Sequence, residues 1–130
     1  MYITAPVLDN ILPADIRNRA TAAQRTQVIT SASAEVDGYL RSAGYALPLL
    51  TWDAAISEHT GAIAAYRLAV ATGLLKADSL KDSTLYANHQ GALAYLKNVV
   101  DGVVRPNLVD SGTTTPGRTP LIGTQPKRGW

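Results

Sequence analysis

The chain has 130 residues, of which 46% are hydrophobic, and it contains no Cys. This length fits one domain, and the lack of Cys excludes disulfides, thiolate metal sites and cysteine nucleophiles. Twelve Lys and Arg stand against ten Asp and Glu, and four of those basic residues with a single acidic one lie in residues 103–130. No apolar run of about 18 residues occurs, so we expect a soluble, intracellular protein without a membrane span.

Two short helices are predicted before residue 20. Pro6 lies in the first turn of a segment that ends near Asn10, where its missing N–H costs little, and Thr4 precedes it as a cap. Pro13 interrupts this helix. A further turn over residues 14–19 is too short to be stable alone.

The first long helix is predicted over residues 22–42. Thr21 and Gln24 have the spacing of a capping box. The apolar residues then recur at intervals of three and four, at Val28, Ile29, Ala32, Val36, Tyr39 and Leu40. Gly44 supplies a left-handed stop, and Pro48 favours an extended connection after it.

Two more long helices are predicted, over residues 52–73 and 83–102. The first begins near Thr51 or Asp53, and either Gly73 or residues 76–78 end it. Its apolar stripe comprises Ile56, His59, Ile63, Tyr66, Val70 and Leu74. The stripe of the second comprises Leu85, His89, Leu93, Leu96, Val99 or Val100, and Val103.

These elements predict an all-α fold, a small helical bundle of three main helices and a short N-terminal helix with an extended C-terminal arm. Gly and Pro recur throughout residues 107–130, so no periodic apolar face continues there. We therefore divide the chain into a helical body, residues 1–104, and an extended basic arm, residues 105–130. The arm is expected to order when it lies along a partner.

Two histidines are the candidates for a chemical site. His59 and His89 lie on or beside the apolar stripes of the second and third long helices. Both could serve a metal or acid–base site between neighbouring helices, as in a metal-dependent hydrolase. Alternatively, each is a hydrogen-bonded histidine at the edge of the core. Because no carboxylate or thiol has a matching spacing, we favour the second interpretation and predict no catalytic residue, no cofactor and no metal ion.

Other patterns with catalytic associations are weaker. Glu35 and Asp37 are two residues apart on a helix and point to different sides, which argues against a carboxylate dyad. A solvated position suits Glu35, and packing or a subunit contact suits Asp37. Gly112 and Gly117 lack the Gly-Lys-Ser/Thr ending of a phosphate loop, so a Thr/Gly/Pro linker is the better interpretation.

The arm is the predicted partner-binding region. Its basic residues could neutralise DNA phosphates, which would make the chain a small DNA-binding module. Apolar residues alternate with these charges, so an acidic groove on a protein partner is favoured, and Trp130 is a natural anchor. The predicted partner-binding residues are Arg105, Leu108, Val109, Arg118, Leu121, Ile122, Lys127, Arg128 and Trp130.

Several strings resemble one known family. Residues 33–40 (SAEVDGYL) continue to residues 44–49 (GYALPL), the chain begins MYIT, and residues 65–68 read AYRL. These strings resemble the Mu-like bacteriophage and prophage head–tail connector family. The resemblance covers residues 1–102, and residues 103–130 match no pattern of that family.

The resemblance implies a virion structural protein of the neck, between capsid and tail. A member of this family would be an adaptor that forms a dodecameric ring on the portal protein. Its further partners would be neighbouring copies and a stopper or tail-completion protein, with non-specific contact to packaged DNA and none to a membrane. The protein would be found in the host cytoplasm during assembly and in the virion afterwards.

Overall fold

The structure, a computed structural model, describes residues 1–73 and 84–112. Across these residues the helices are α1 (Ala5–Ile11), α2 (Ala14–Arg19), α3 (Ala22–Ser42), α4 (Ala54–Thr72) and α5 (Thr84–Val100). Strands β1 (Leu49–Thr51) and β2 (Val109–Asp110) pair antiparallel in a two-stranded sheet. The predicted all-α bundle is confirmed.

The ends of the long helices follow the capping chemistry of the sequence. Thr21 and Gln24 form the predicted capping box, in which each side chain accepts a hydrogen bond from the other residue's backbone N–H, at 3.1 and 3.0 Å. Asp53 caps α4 by accepting from the backbone N–H of Ile56 at 3.2 Å. Gly73, one of the two predicted ends, terminates α4 in the left-handed conformation, with φ of +67°.

The core lies where α3, α4 and α5 meet, and α4 packs against both of the other long helices. The largest side chains that are completely enclosed are Leu8, Leu40, Ile56, Ile63, Leu68 and Leu96. Ala64, Ala65 and Ala69 of α4 are also buried, so that small side chains let the helices approach closely. The core is therefore built mainly from aliphatic residues and alanine.

Two predicted stripe positions are exposed instead. Val70 is 50% exposed near the end of α4, and Val103 is 73% exposed beyond the end of α5. A helix that packs on two neighbours buries more than one stripe, and the buried face of α4 includes Leu68, which the predicted stripe omits. The helix α5 ends at Val100, two residues before its predicted end. Val103 therefore lies beyond the helix and belongs to no helical stripe.

The N-terminal residues are part of the core. Tyr2 and Ile3 are each 7% exposed. Ile3 and Ile11 of α1 lie against Gly61 of α4, where an added Cβ would be 2.9 and 3.1 Å from their Cδ1 atoms. Gly61 thus permits α1 and the N-terminal segment to lie directly on α4.

Arg25 of α3 connects the first three helices. Its guanidinium donates to the Asp9 carboxylate of α1, and to the carbonyls of Arg17 and Ala20 at the end of α2, each at 2.7 Å. This arrangement satisfies carbonyls that the end of a short helix leaves without partners. No helix in the described part of the chain is long and apolar enough to cross a membrane.

Candidate partner-binding surfaces

The strings that carry the family resemblance meet one another in the fold. The backbone N–H of Tyr2 donates to the Ser33 hydroxyl at 3.4 Å, and the Tyr2 hydroxyl donates to the Asp37 carboxylate. Arg67 of α4 donates to Glu35 of α3 in an ion pair, so Glu35 is not the solvated residue that the sequence predicted. These polar residues of the strings therefore hold the N-terminal segment, α3 and α4 together.

One residue of the same string has no such role. Gly38 lies in the middle of α3, and apart from the backbone of its own helix no described atom lies within 4 Å of the position of an added Cβ. Glycine inside a helix costs about 1 kcal/mol relative to alanine. Four residues spaced by one turn form the α3 outer face, which is largely exposed and carries only small side chains: Thr30, Ala34, Gly38 and Ser42.

The second candidate surface is apolar and lies at the two-stranded sheet. Leu50 is 58% exposed, and the exposed Trp52 packs its ring edge-on against Tyr2, with 4.9 Å between the ring centroids. Val109 of β2 pairs with Thr51 of β1 and is also exposed. Sequence reasoning proposed Val109 but missed Leu50 and Trp52, because a short irregular strand has no periodic signal.

Three of the predicted arm residues lie within the described part of the chain. Arg105 and Val109 are exposed, whereas Leu108 is partly buried and packs against the core. The described start of the arm runs along the body and does not project from it. The remaining predicted residues lie outside the described residues: Arg118, Leu121, Ile122, Lys127, Arg128 and Trp130.

Backbone groups hold this part of the arm. Asp110 accepts a hydrogen bond from the backbone N–H of Ala46 at 2.8 Å, and the N–H of Ser111 donates to the Ala46 carbonyl at 3.1 Å. The N–H of Asn107 donates to the Asp53 carboxylate at 3.1 Å. Asp53 therefore caps α4 and anchors the returning chain with its two oxygens.

A cleft of about 380 Å³ lies between α1, α4 and α5. We call it the α4–α5 cleft, and its lining residues are Ile11, Glu58, His59, Ala62, Ala65, Leu85, Ala87, Asn88 and Gly91. Four of the nine are alanine or glycine, and apart from the backbone of α5 itself no described atom lies within 4 Å of a Cβ added at Gly91. In the sequence, the helical spacing of Ala62 with Ala65 and of Ala87 with Gly91 indicates this cleft. A prediction based on large apolar residues does not include these positions and therefore missed it.

The two histidines occupy separate places in the α4–α5 interface. His59 stacks on Tyr95 with 4.1 Å between ring centroids, and His89 stacks on Tyr66 at 4.4 Å. Seven residues separate His59 from Tyr66 on α4, which is about two helical turns. Each histidine is thus paired with a tyrosine of the other helix and not with the other histidine.

Burial lowers the pKa of both imidazoles. For His59, the carboxylates of Glu58 and Asp53 oppose this effect; for His89, Glu35 opposes it and Arg67 adds to it. Residues 1–73 and 84–112 contain no group of three or more His, Cys, Asp or Glu side chains that could hold a metal ion. The arrangement can stack rings and take up protons, and it supplies no set of metal ligands there.

A family model matches most of the chain. The model of the family described as Bacteriophage Mu, Gp36 matches residues 4–122. No curated protein and no solved structure matches the chain. The family match continues 20 residues past residue 102, so the expectation that no family pattern extends into the arm is wrong. Six of the nine predicted arm residues, Arg105 through Ile122, fall inside it.

Proposed function

The chain belongs to the family described as Bacteriophage Mu, Gp36, and from this phage origin we propose that it is a structural protein of the virion neck. In this role it is a head–tail connector, or adaptor, whose copies form a ring on the portal protein. A stopper or tail-completion protein binds the other side of the ring. The protein acts by occupying its position and catalyses no reaction.

The observation that carries the proposal is the α3 outer face. Gly38 weakens a 21-residue helix and gains no packing against the described part of the chain in return. A glycine in such a place permits the close approach of another molecule, as small residues do where helices pack tightly. A ring of identical copies supplies such a neighbour at every position, because each copy offers one surface to the copy before it and another to the copy after it.

Two further features support a role in assembly. Leu50, Trp52 and Val109 expose apolar surface beside the first residues of the arm, and an exposed aromatic residue is a common anchor of protein interfaces. Arg105 is exposed four residues before Val109, and the rest of the arm is basic. Partners of this surface would be the portal protein and neighbouring copies, and the basic side chains would tolerate nearby packaged DNA.

The ring is tested by filling the space above Gly38. Native mass spectrometry and negative-stain images of purified protein, alone and with portal particles, should reveal closed rings for the wild type and none for Gly38→Leu. Ala71→Leu is the matched control, since it adds the same side chain at an exposed position of a different helix, α4. Rings that form equally well with Gly38→Leu would contradict the role of α3.

The neck position needs a test in the virion. Mass spectrometry of purified virions should detect the protein, and deletion of residues 113–130 should leave a folded body that no longer joins heads to tails. The deletion starts after Gly112 because residues 107–111 form hydrogen bonds with the body. Absence of the protein from virions would refute the proposal. Normal infectivity of the truncated phage would refute the role of the arm.

A further inference from the structure

The α4–α5 cleft has the form of a peptide groove. Its floor contains Ala62, Ala65 and Gly91, which leave space for a side chain from outside. Glu58 is the charged residue of its lining, and Asp53 lies close enough to act electrostatically on His59, which also lines the cleft. The cleft therefore combines an apolar floor with a negative side, which suits a segment with apolar and basic residues.

The described chain ends against Ala46, and a series of neighbouring residues connects this point to the cleft. A Cβ added at Gly112 would be 3.0 Å from the side chain of Ala46. The adjacent Tyr45 interacts electrostatically with Tyr95, and Tyr95 stacks on His59 at the edge of the cleft. The 18 residues that follow can span up to about 60 Å when extended. They are long enough to reach the same cleft on an adjacent copy of a body this small.

The chemistry of residues 113–130 complements the cleft. The segment contains Arg118, Lys127 and Arg128 and no acidic side chain. Leu121 and Ile122 are its adjacent apolar residues, and both lie within the part that the family model matches. Three prolines, at positions 116, 120 and 126, favour an extended conformation that loses less entropy on docking than a flexible chain does.

We propose that residues 113–130 of one copy bind in the α4–α5 cleft of the neighbouring copy, with Leu121 and Ile122 over Ala62 and Gly91, and Arg118 beside Glu58. This inference rests on the proposed function, because it needs copies that stand side by side. The cleft and the arm are then the two different surfaces that a heterologous closed ring requires. Every copy gives one arm and receives one, so that individually weak contacts add up around the ring.

Disulfide cross-linking tests the contact cleanly, because the natural chain contains no Cys. Full-length Ala62→Cys protein is mixed with full-length Gly123→Cys protein and oxidised, and a covalent heterodimer should form that reducing agent separates. Gly123 is chosen so that Leu121 and Ile122 stay intact. Ala71→Cys is the matched control, since it changes the same residue type on the same helix, about half a turn around α4 from Ala62, and should give at least tenfold less heterodimer.

A second variant blocks the cleft without disturbing the body. Gly91→Leu places a side chain where no described atom lies within 4 Å of its Cβ. It should keep a cooperative thermal unfolding transition and reduce the yield of the Ala62→Cys/Gly123→Cys heterodimer at least tenfold. Glu58→Lys should reduce this yield as well, and raising the salt concentration should weaken the wild-type contact.

Three results would overturn the inference. One is equal cross-linking to Ala62→Cys and Ala71→Cys. Another is a heterodimer yield that Gly91→Leu leaves unchanged. The third is a chain carrying both Ala62→Cys and Gly123→Cys that forms only an intramolecular disulfide, since the arm would then lie in its own cleft. If rings are seen by native mass spectrometry but no cross-link forms, this inference fails and the proposed function stands. If the protein is absent from virions, the proposed function fails.

Discussion

The two ends of the described chain are attached to the body in opposite ways. At the N-terminus, Tyr2 and Ile3 are buried, and the Tyr2 hydroxyl reaches the Asp37 carboxylate of α3. At residues 105–112 hydrogen bonds between backbone N–H groups and carboxylates hold the chain, Leu108 is only partly buried, and the side chains of Arg105 and Val109 stay exposed. The first end contributes fully buried side chains to the core, and the second keeps some of its side chains available to partners.

This difference separates stability from function along the chain. Burial of Ile3 removes apolar surface from water, which is the main source of folding free energy. Backbone hydrogen bonds at the C-terminal end fix the course of the chain and add little apolar burial. Changes at the N-terminal end should therefore reduce stability most, and changes at the C-terminal end should affect assembly more than folding.

The largest effect is expected for Ile3→Ala. Removal of a buried aliphatic side chain leaves a cavity against Gly61 and Ile11, which should lower the free energy of unfolding by about 2–4 kcal/mol. Urea denaturation followed by circular dichroism measures this loss. Val7→Ala is the control, because Val7 of α1 is 48% exposed and should cost well under 1 kcal/mol. Equal losses in the two variants would mean that the N-terminal segment is not part of the core.

The next effect is expected for Tyr2→Phe, which keeps the ring against Trp52 and removes the hydrogen bond to Asp37. A hydrogen bond to a charged group contributes about 1.5–3 kcal/mol, so the loss should lie near the lower end of that range for a partly buried pair. Urea denaturation at neutral pH measures it. A loss of stability as large as that of Ile3→Ala would indicate that the phenyl ring also moves.

Alkaline pH gives an independent check on Tyr2. Burial, and then the hydrogen bond and negative charge of Asp37, raise the pKa of Tyr2 well above its ordinary value of 10.0. The unfolded state then releases this proton first, so stability should fall as pH rises above about 10. Tyr2→Phe should show a smaller decline over the same pH interval. Burial also raises the pKa of Tyr45 and Tyr95, so part of the decline should remain.

At the C-terminal end, Asp110→Asn should have a smaller effect on stability. The variant weakens the acceptor for the backbone N–H of Ala46, which should cost about 1 kcal/mol or less. Hydrogen exchange at the Ala46 amide should accelerate while the core amides of α4 change little. Asp101→Asn, just after α5, is the control and should leave that amide unchanged. Acceleration throughout α4 would show that this end of the chain also supports the core.

The smallest effect is expected at mildly acidic pH. Because burial lowers the pKa of His59 and His89 in the folded state, the unfolded state binds protons more readily, and stability should fall as pH drops below about 6.5. His59→Phe retains an aromatic ring on Tyr95 and should reduce this decline. NMR titration of the histidine ring protons should give pKa values below 6.5, and values above it would reverse the sign.

Much of the bundle could be predicted because its signals are local. Thr21 and Gln24 predict the start of α3, and Gly73 predicts the end of α4, since capping depends on residues a few positions apart. The burial of Leu68 and the role of Gly61 could not be predicted in this way. They depend on which helices touch α4, and those contacts join residues far apart in the chain.

The candidate surfaces also differ in whether local sequence signals can predict them. The arm was identified from composition, which needs no fold. The α4–α5 cleft was missed because its residues come from three helices, and the spacing of the alanines and the glycine among them is indistinguishable from that of ordinary helix-forming residues. Likewise, the pairing of Glu35 with Arg67 follows from the packing of α3 on α4, and no spacing within one helix predicts it.

The contacts of Arg25 link the local unfolding of α1 to that of α2. One guanidinium bridges the ends of two short helices and the start of a long one, and neither α1 nor α2 has the length to persist by itself. Loss of that bridge releases both together, so residues 5–19 should behave as one cooperative unit in local unfolding. Residues 5–19 thus detach as a block from the front of α3 and do not fray residue by residue.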